Sequence, residues 1–291
     1  MIKSMTGYGV GIAEDDQTKY TVEIKSLNSK FLELSMRLPK AVSDKELQLR
    51  SECSKRIERG KVSLGINVEY ADPAAEAADI NHVLFQKYYE QLTTLAERVG
   101  DTQASLFSLA LGMPDVVSHA EEQGSETEAI LLFRAFDQAF AQFDAFRRDE
   151  GQVLKTDLAN RVQTILQLLG EVEGLEHDRI PLIRDRISHY MDQTVGKEQV
   201  DMNRFEQELV FYIDKLDITE EKVRLRSHCE YFAQALDAPD SNGKKLGFIS
   251  QEIGREINTL GSKANHAGIQ QIVVRMKEEL EKIKEQLLNI L

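Results

Sequence analysis

Glu252 and Glu256 stand four residues apart in the run Gln251-Glu252-Ile253-Gly254-Arg255-Glu256-Ile257-Asn258-Thr259-Leu260, with Lys263 shortly after. At roughly 100° per residue, Glu252, Glu256, Thr259 and Lys263 form one stripe of a helix, and Gln251, Arg255, Asn258 and Ser262 form the next. Two carboxylates one turn apart repel each other, more so when partly desolvated, so something must compensate them. Lys263 or Arg255 would make the stripe a structural ion-pair network. A divalent cation would make it a hydrolytic site, because hard oxygen ligands suit Mg²⁺ or Mn²⁺ and such a metal activates water against a phosphodiester. Charged helix stripes are common, and spacing alone leaves both readings open.

A helix just upstream carries Glu220, Glu221, Arg224 and His228, with Arg224 and His228 one turn apart. His228 is of the residue type that suits a general acid or base; the plainer reading is a hydrogen-bonded surface histidine. Asp217 stands where it orders that helix start. Nearer the beginning of the chain, Lys25, Ser26, Asn28, Lys30, Arg37, Arg50, Arg59 and Lys61 offer hydroxyl and amide groups for sugar and phosphate, and cations for charge neutralisation. Lys25 and Arg37 fit the solvated face of an ordinary sheet equally well. Walker, Rossmann, HExxH and Cys-rich metal motifs are absent, which argues against nucleotide-dependent and zinc-dependent enzymes.

The elements that must position these groups fall into two regimes. Residues 7–14, 18–27 and 30–37 read as strands, simplest as a three-strand meander, with alternation in Thr21-Val22-Glu23-Ile24-Lys25. Pro39 ends the third, a helix follows from Ser43 to about Arg59, Gly60 stops it, and Val62 to Tyr70 alternates as a fourth strand. A linker is expected at Pro73-Ala-Ala-Glu-Ala-Ala, and turns at Gly112-Met113-Pro114, Gly124-Ser125 and Asp237 to Gly243. Beyond residue 80 the period is helical, with segments near 80–99, 126–170, 179–193, 201–215, 219–236, 245–264 and 267–290, and no strand pattern returns. The fold class is therefore α+β: an N-terminal β-β-β-α-β unit over 1–72, an acidic helical middle over 73–200, and a C-terminal helical domain over 201–291. On the Leu246 to Ala264 helix, Leu246, Ile249, Ile253, Ile257, Leu260 and Ala264 form the core side. The carboxylate stripe lies at the margin of that side. The last helix carries a seam from Ile269 to Ile290 suited to another helix, in its own core or in a second subunit.

A net charge of −13 over 291 residues counts against a phosphate-rich partner, but its distribution weakens that objection. Residues 73–200 hold twice as many carboxylates as cations, while both ends are nearly neutral, so a local basic surface can form there. Cys53 and Cys229 lie far apart without metal-ligand spacing, which fits two inert thiols in a reducing compartment. Apolar runs fall short of a membrane span, and Met1 to Thr6 lacks signal-peptide features, so a cytoplasmic protein is expected, without a membrane partner.

Met1-Ile-Lys-Ser-Met-Thr-Gly-Tyr-Gly9, Glu23-Ile-Lys-Ser-Leu-Asn-Ser-Lys-Phe-Leu32, Arg37-Leu-Pro39 and Arg59-Gly-Lys61 resemble the N-terminal domain of the YicC/YloC family. Asp217 to His228 and Gly243 to Lys263 resemble its C-terminal domain. The resemblance implies a bacterial endoribonuclease, dependent on a divalent metal, that assembles as a ring-like homo-oligomer, with a hexamer expected, around structured RNA. Family positions carry over to His228, Glu252, Arg255, Glu256, Asn258, Thr259 and Lys263. On this reading Glu252 and Glu256 hold Mg²⁺ or Mn²⁺. His228 protonates the leaving oxygen, and Lys263 or Arg255 offsets phosphoryl charge. Lys25, Asn28, Lys30, Arg37, Arg50, Arg59, Lys61, Arg224, Arg255 and Asn258 contact RNA. The chain departs from the family pattern at Gly247 and His266, where Asp is usual, and His266 would offer a nitrogen ligand that favours Mn²⁺. The rival expectation is an RNA-binding adaptor that recruits another nuclease, which makes other RNA-decay proteins candidate partners.

Overall fold

A computed structural model describes residues 2–71, 79–100, 105–118, 126–194, 202–238 and 243–291. The expected linker at residues 73–78, the Gly124-Ser125 turn, most of the 237–243 turn and the domain limits near 72 and 200 lie outside these. The described chain divides into two compact units. A sheet unit comprises Tyr8–Lys25 and Phe31–Phe143, and a helical unit comprises Met1–Gly7, Ser26–Lys30 and Asp144–Leu291.

In the sheet unit, strands β1 (Gly7–Glu14) and β2 (Thr18–Leu27) join through a tight turn in which the Asp15 amide donates to the Thr18 carbonyl. Strand β3 (Leu32–Arg37) then leads through a 3₁₀ turn (Lys40–Lys45) and helix α1 (Glu46–Arg56) into β4 (Gly60–Tyr70). The sheet order is β1-β2-β4-β3, with β3 parallel to β4. The expected meander is therefore corrected. A helix between two strands is a crossover that returns the chain to the same end, so it yields a parallel pair rather than a hairpin. The central place goes to β4, whose Val62, Leu64 and Ile66 are buried, and the edge goes to the half-buried β3.

Leu49, Cys53 and Ile57 from α1 and the turn after it complete this core, together with Leu132, Phe136, Ala139 and Phe143 from the first part of helix α4 (Glu126–Thr194). Strand β1 lies against that part of α4 at backbone distance. A Cβ at Gly9 would stand 2.2 Å from the Ala139 carbonyl oxygen, and one at Gly11 1.9 Å from that of Ala135. As the edge strand, β1 needs acceptors for its outer amides. Gln142 and Gln138, one turn apart on α4, accept from the Val10 and Ile12 amides at 3.2 Å each.

Two further strands, β5 (Asp79–Ile80) and β6 (Val117–Ser118), pair antiparallel around α2 (His82–Val99) and α3 (Leu106–Leu111). These correct the expectation that no strand follows residue 80, since two-residue strands leave no periodicity to read. The expected helices at 126–170 and 179–193 are one helix, α4, which runs through Pro181. Gly170 and Gly174 do not interrupt it, and a Cβ at either would meet only open space.

In the helical unit, α5 (Met202–Lys215), α6 (Thr219–Asp237), α7 (Gly243–Ala264) and α8 (Ala267–Leu287) follow. Leu246, Ile249, Ile253, Ile257, Leu260 and Ala264 are all buried, as the 100° wheel predicts. The seam of α8 packs into this same core, so it serves the chain's own fold. Gly254 and Gly261 let α8 approach α7, because their missing Cβ atoms would stand 3.0 Å from Leu280 and 2.9 Å from Val273. The segment Ile2–Thr6 is bound into this unit. The Ser4 amide donates to the Arg147 carbonyl at 2.9 Å, the Met5 amide to the Asn289 carbonyl at 2.8 Å, and Ser4 pairs antiparallel with Ile290.

Candidate active site

Helices α6 and α7 form an antiparallel pair, because the start of one is tied to the end of the other. Lys263 Nζ lies 2.7 Å from Oε1 of Glu221. Two turns further along each helix, in opposite directions, lie His228 of α6 and Glu256 of α7. His228 is half-buried. The candidate stripe takes the position the sequence predicts: Glu256 is buried at 5% exposure, Glu252, Thr259 and Lys263 are half-buried, and Gln251, Arg255, Asn258 and Ser262 are exposed.

The compensation expected for the two carboxylates is distributed differently. Arg255 lies 3.5 Å from Glu252, whereas Lys263 is committed to Glu221 rather than to the Glu252/Glu256 pair. That leaves Glu256, the more deeply buried carboxylate, with no hydrogen-bond or ion partner among the described residues. Glu221 is buried as well, and its Oε2 has no hydrogen-bond partner among them. Sequence reasoning placed Glu221 on the right helix but missed that it is Lys263's partner. A pairing between helices 42 residues apart leaves no spacing signal. The hydrogen bond to Glu221 holds the Lys263 ammonium above the usual lysine range. Asp217 organises the entrance to α6 by accepting from the Thr219 hydroxyl at 2.7 Å and its amide at 3.0 Å, which hold its carboxyl below the usual range.

Buried carboxylates need a cation or a proton. The Glu252/Glu256 pair fits an ion of the Mg²⁺ type, which takes one or two protein carboxylates and completes its shell with water and phosphate oxygens. Among the described residues no group of three His, Cys, Asp or Glu side chains could hold a metal unaided. Gly247 brings no side chain, and His266 caps α8, its Nδ1 accepting from the Ile269 amide at 3.4 Å. That nitrogen is engaged in the fold. Cys53 and Cys229 are both buried free thiols, pushed up to about 11 and about 12 by burial, and neither is a nucleophile near neutral pH.

The N-terminal cations are scattered more than the sequence reading implies. Lys25, Arg37 and Lys61 share the open face of the sheet. Arg50 sits on α1, which packs on the opposite face, and pairs with Glu46 at 2.9 Å. Asn28 and Lys30 belong to the helical unit, where Asn28 Nδ2 lies 3.5 Å from the Asn289 side-chain oxygen. Arg59 is half-buried just before β4, and the exposed Arg224 is held by Glu220 on its own helix.

Residues 2–156 match the N-terminal region of the endoribonuclease YicC-like family, and residues 172–291 match its C-terminal region. The chain belongs to the endoribonuclease YicC-like family. It is 31% identical over 294 residues to a protein of Clostridioides difficile (strain 630) called probable endoribonuclease YicC, with the whole of both chains covered. A protein of the same description from Haemophilus influenzae is 29% identical over 290 residues, again across the whole of both chains. The YicC-like C-terminal match takes in α6, α7 and α8, and with them every residue of the carboxylate stripe. The N-terminal match takes in the whole four-stranded sheet. No helix among the described residues is long and apolar enough to cross a membrane.

Proposed function

We propose that this member of the endoribonuclease YicC-like family cleaves phosphodiester bonds within structured RNA, using Glu252 and Glu256 to hold a divalent Mg²⁺ or Mn²⁺ ion. The observation that carries the reading is Glu256, a residue only 5% exposed whose carboxylate has no hydrogen-bond or ion partner among the described residues, on the same stripe as Glu252. A native fold keeps such a group where it serves a ligand rather than packing. The bound ion would supply charge neutralisation at the phosphate and a more acidic water. Around it, exposed Arg255 and Asn258 bind backbone oxygens, and half-buried His228 of α6 gives a proton to the leaving oxygen. Lys263, fixed by Glu221, offsets phosphoryl charge from a set position. In this reading the chain works as a ring-like homo-oligomer, with a hexamer expected. In support, α2 has no fully buried side chain among the described residues, and its Val83, Leu95 and Val99 are 82%, 57% and 71% exposed.

The test is an end-labelled hairpin RNA incubated with wild type and Glu256→Gln in Mg²⁺, Mn²⁺ and chelator. The expected result is metal-dependent internal cutting that the variant loses while still binding RNA. Undiminished cutting by the variant removes the carboxylate assignment. Tight binding without cutting in any condition supports the adaptor reading.

A further inference from the structure

The solvent face of the four-stranded sheet carries an exposed aromatic ring, Tyr8. Tyr8 and Ile12 on β1 are 43% and 47% exposed, on the side away from the buried Tyr20, Val22 and Ile24. Glu23 binds the Lys25 ammonium at 2.7 Å, the contact that does most to hold its carboxyl below the usual range. The Lys25 ammonium stands 5.6 Å from the centre of the Tyr8 ring. The exposed ring thus has a cation from the neighbouring strand over it.

Across the same face, Arg37 of β3 stands in register with Gly65 of β4, where a Cβ would meet only open space. Lys61 lies further back along β4, on the same side as Gly65. Neither Arg37 nor Lys61 makes an ion pair among the described residues, although Glu33 stands opposite Lys61 in the β3–β4 register. An exposed ring, bare backbone and unpaired cations on one sheet face are the elements that bind nucleic acid by stacking.

We propose that this face is a stacking platform for unpaired nucleotides of RNA. The Tyr8 ring takes a base, the bare backbone at Gly65 lets the strand lie close, and Arg37 and Lys61 meet its phosphates. The occupant is single-stranded because a paired base is already stacked on both sides and offers no π face. Glu14 and Glu33 share this face, so its charge is nearly balanced and would hold a duplex backbone poorly. Stacking, not charge, carries the affinity. The proposal rests on the RNA reading above and deepens it: a nuclease that cuts structured RNA also needs a hold on the unpaired stretches beside the stems.

The chain contains no tryptophan, so Tyr8→Trp introduces a single emitter at the site. The full-length variant is titrated in chelator with an unstructured oligoadenylate of about 12 nucleotides and with a fully paired RNA duplex of that length. Saturable quenching by the single strand alone is expected, with a log–log salt slope of roughly −1.4 for two phosphate contacts. Tyr8→Ala is expected to weaken single-strand binding roughly 5- to 150-fold, while Tyr8→Phe, which keeps the ring, changes it less than about threefold. Absence of quenching, or equal quenching by duplex, overturns the proposal. So does emission that varies with protein concentration before RNA is added, which assigns the face to a second copy of the chain. Hairpin cutting by wild type is scored separately. Cutting without quenching overturns the platform and leaves the nuclease standing, and quenching without cutting does the reverse.

Discussion

Lys263 and Glu221 form an ion pair of unequal exposure, with 36% of the lysine side chain accessible against 7% of the glutamate. The glutamate therefore depends on the lysine more than the reverse. Removing the cation strands a carboxylate whose second oxygen already has no partner among the described residues. Lys263→Met is expected to lower stability by about 2–4 kcal/mol, somewhat less than for a fully buried pair. Adding Glu221→Gln should restore most of that loss. Urea denaturation of the four species gives the coupling directly, and a coupling under about 0.5 kcal/mol would mean that the pair contributes nothing to holding α6 on α7.

The pH dependence of the same corner has a definite sign. Asp217 is held below its ordinary value, first by the Thr219 hydroxyl and then by the Thr219 amide. Its contribution is present above the unfolded carboxyl value and is lost as pH falls through the lower, folded one. Asp217→Asn, which keeps the accepting oxygen but removes the charge at the helix start, should cost about 0.3–1 kcal/mol at neutral pH and flatten the acid limb of the stability profile. Lys263 acts oppositely: raised by Glu221, it contributes at all pH below the ordinary lysine value and fades only as pH climbs through the folded one. Denaturation midpoints from acid to alkaline pH test both limbs.

Glu256→Gln should separate stability from activity. Neutralising a buried, unpartnered carboxylate is expected to raise stability by about 1 kcal/mol at neutral pH while RNA cutting disappears. A destabilised variant would place Glu256 among the structural residues.

Gly9→Ala and Gly11→Ala should each be severe, because the added carbon meets a carbonyl oxygen of α4 rather than a yielding side chain. A loss of about 3 kcal/mol or more is expected for either. By contrast, Gly170→Ala and Gly174→Ala, which meet nothing, should stabilise by roughly 0.5–1 kcal/mol through helix propensity. Thermal unfolding of the four variants ranks them, and equal effects would contradict the packing described.

The sequence is most informative where a local period decides the outcome. The 100° rotation along α7 locates both the buried face and the half-buried stripe of Glu252 and Thr259, and two-residue alternation locates the strands. Long-range choices are not legible. Whether β3 neighbours β2 or β4 depends on where the crossover returns, and which carboxylate Lys263 serves depends on a helix 42 residues away. The glycines mislead in both directions. Gly170 and Gly174 lie inside an unbroken helix, while Gly9 and Gly11, ordinary within a strand pattern, set the distance between β1 and α4.

The binding of Ile2–Thr6 to residues 147 and 289–291 has a kinetic consequence. Bringing together segments nearly the whole chain apart carries the greatest loop-closure cost in this unit, so the junction is expected to form late in refolding, which stopped-flow refolding of the wild type against a permutant tests. The Leu291 amide already donates to the Lys3 carbonyl at 3.1 Å. A circular permutant that bridges this seam with a short glycine-rich linker, and opens the chain in an exposed loop elsewhere, would turn the most distant contact into a local hairpin.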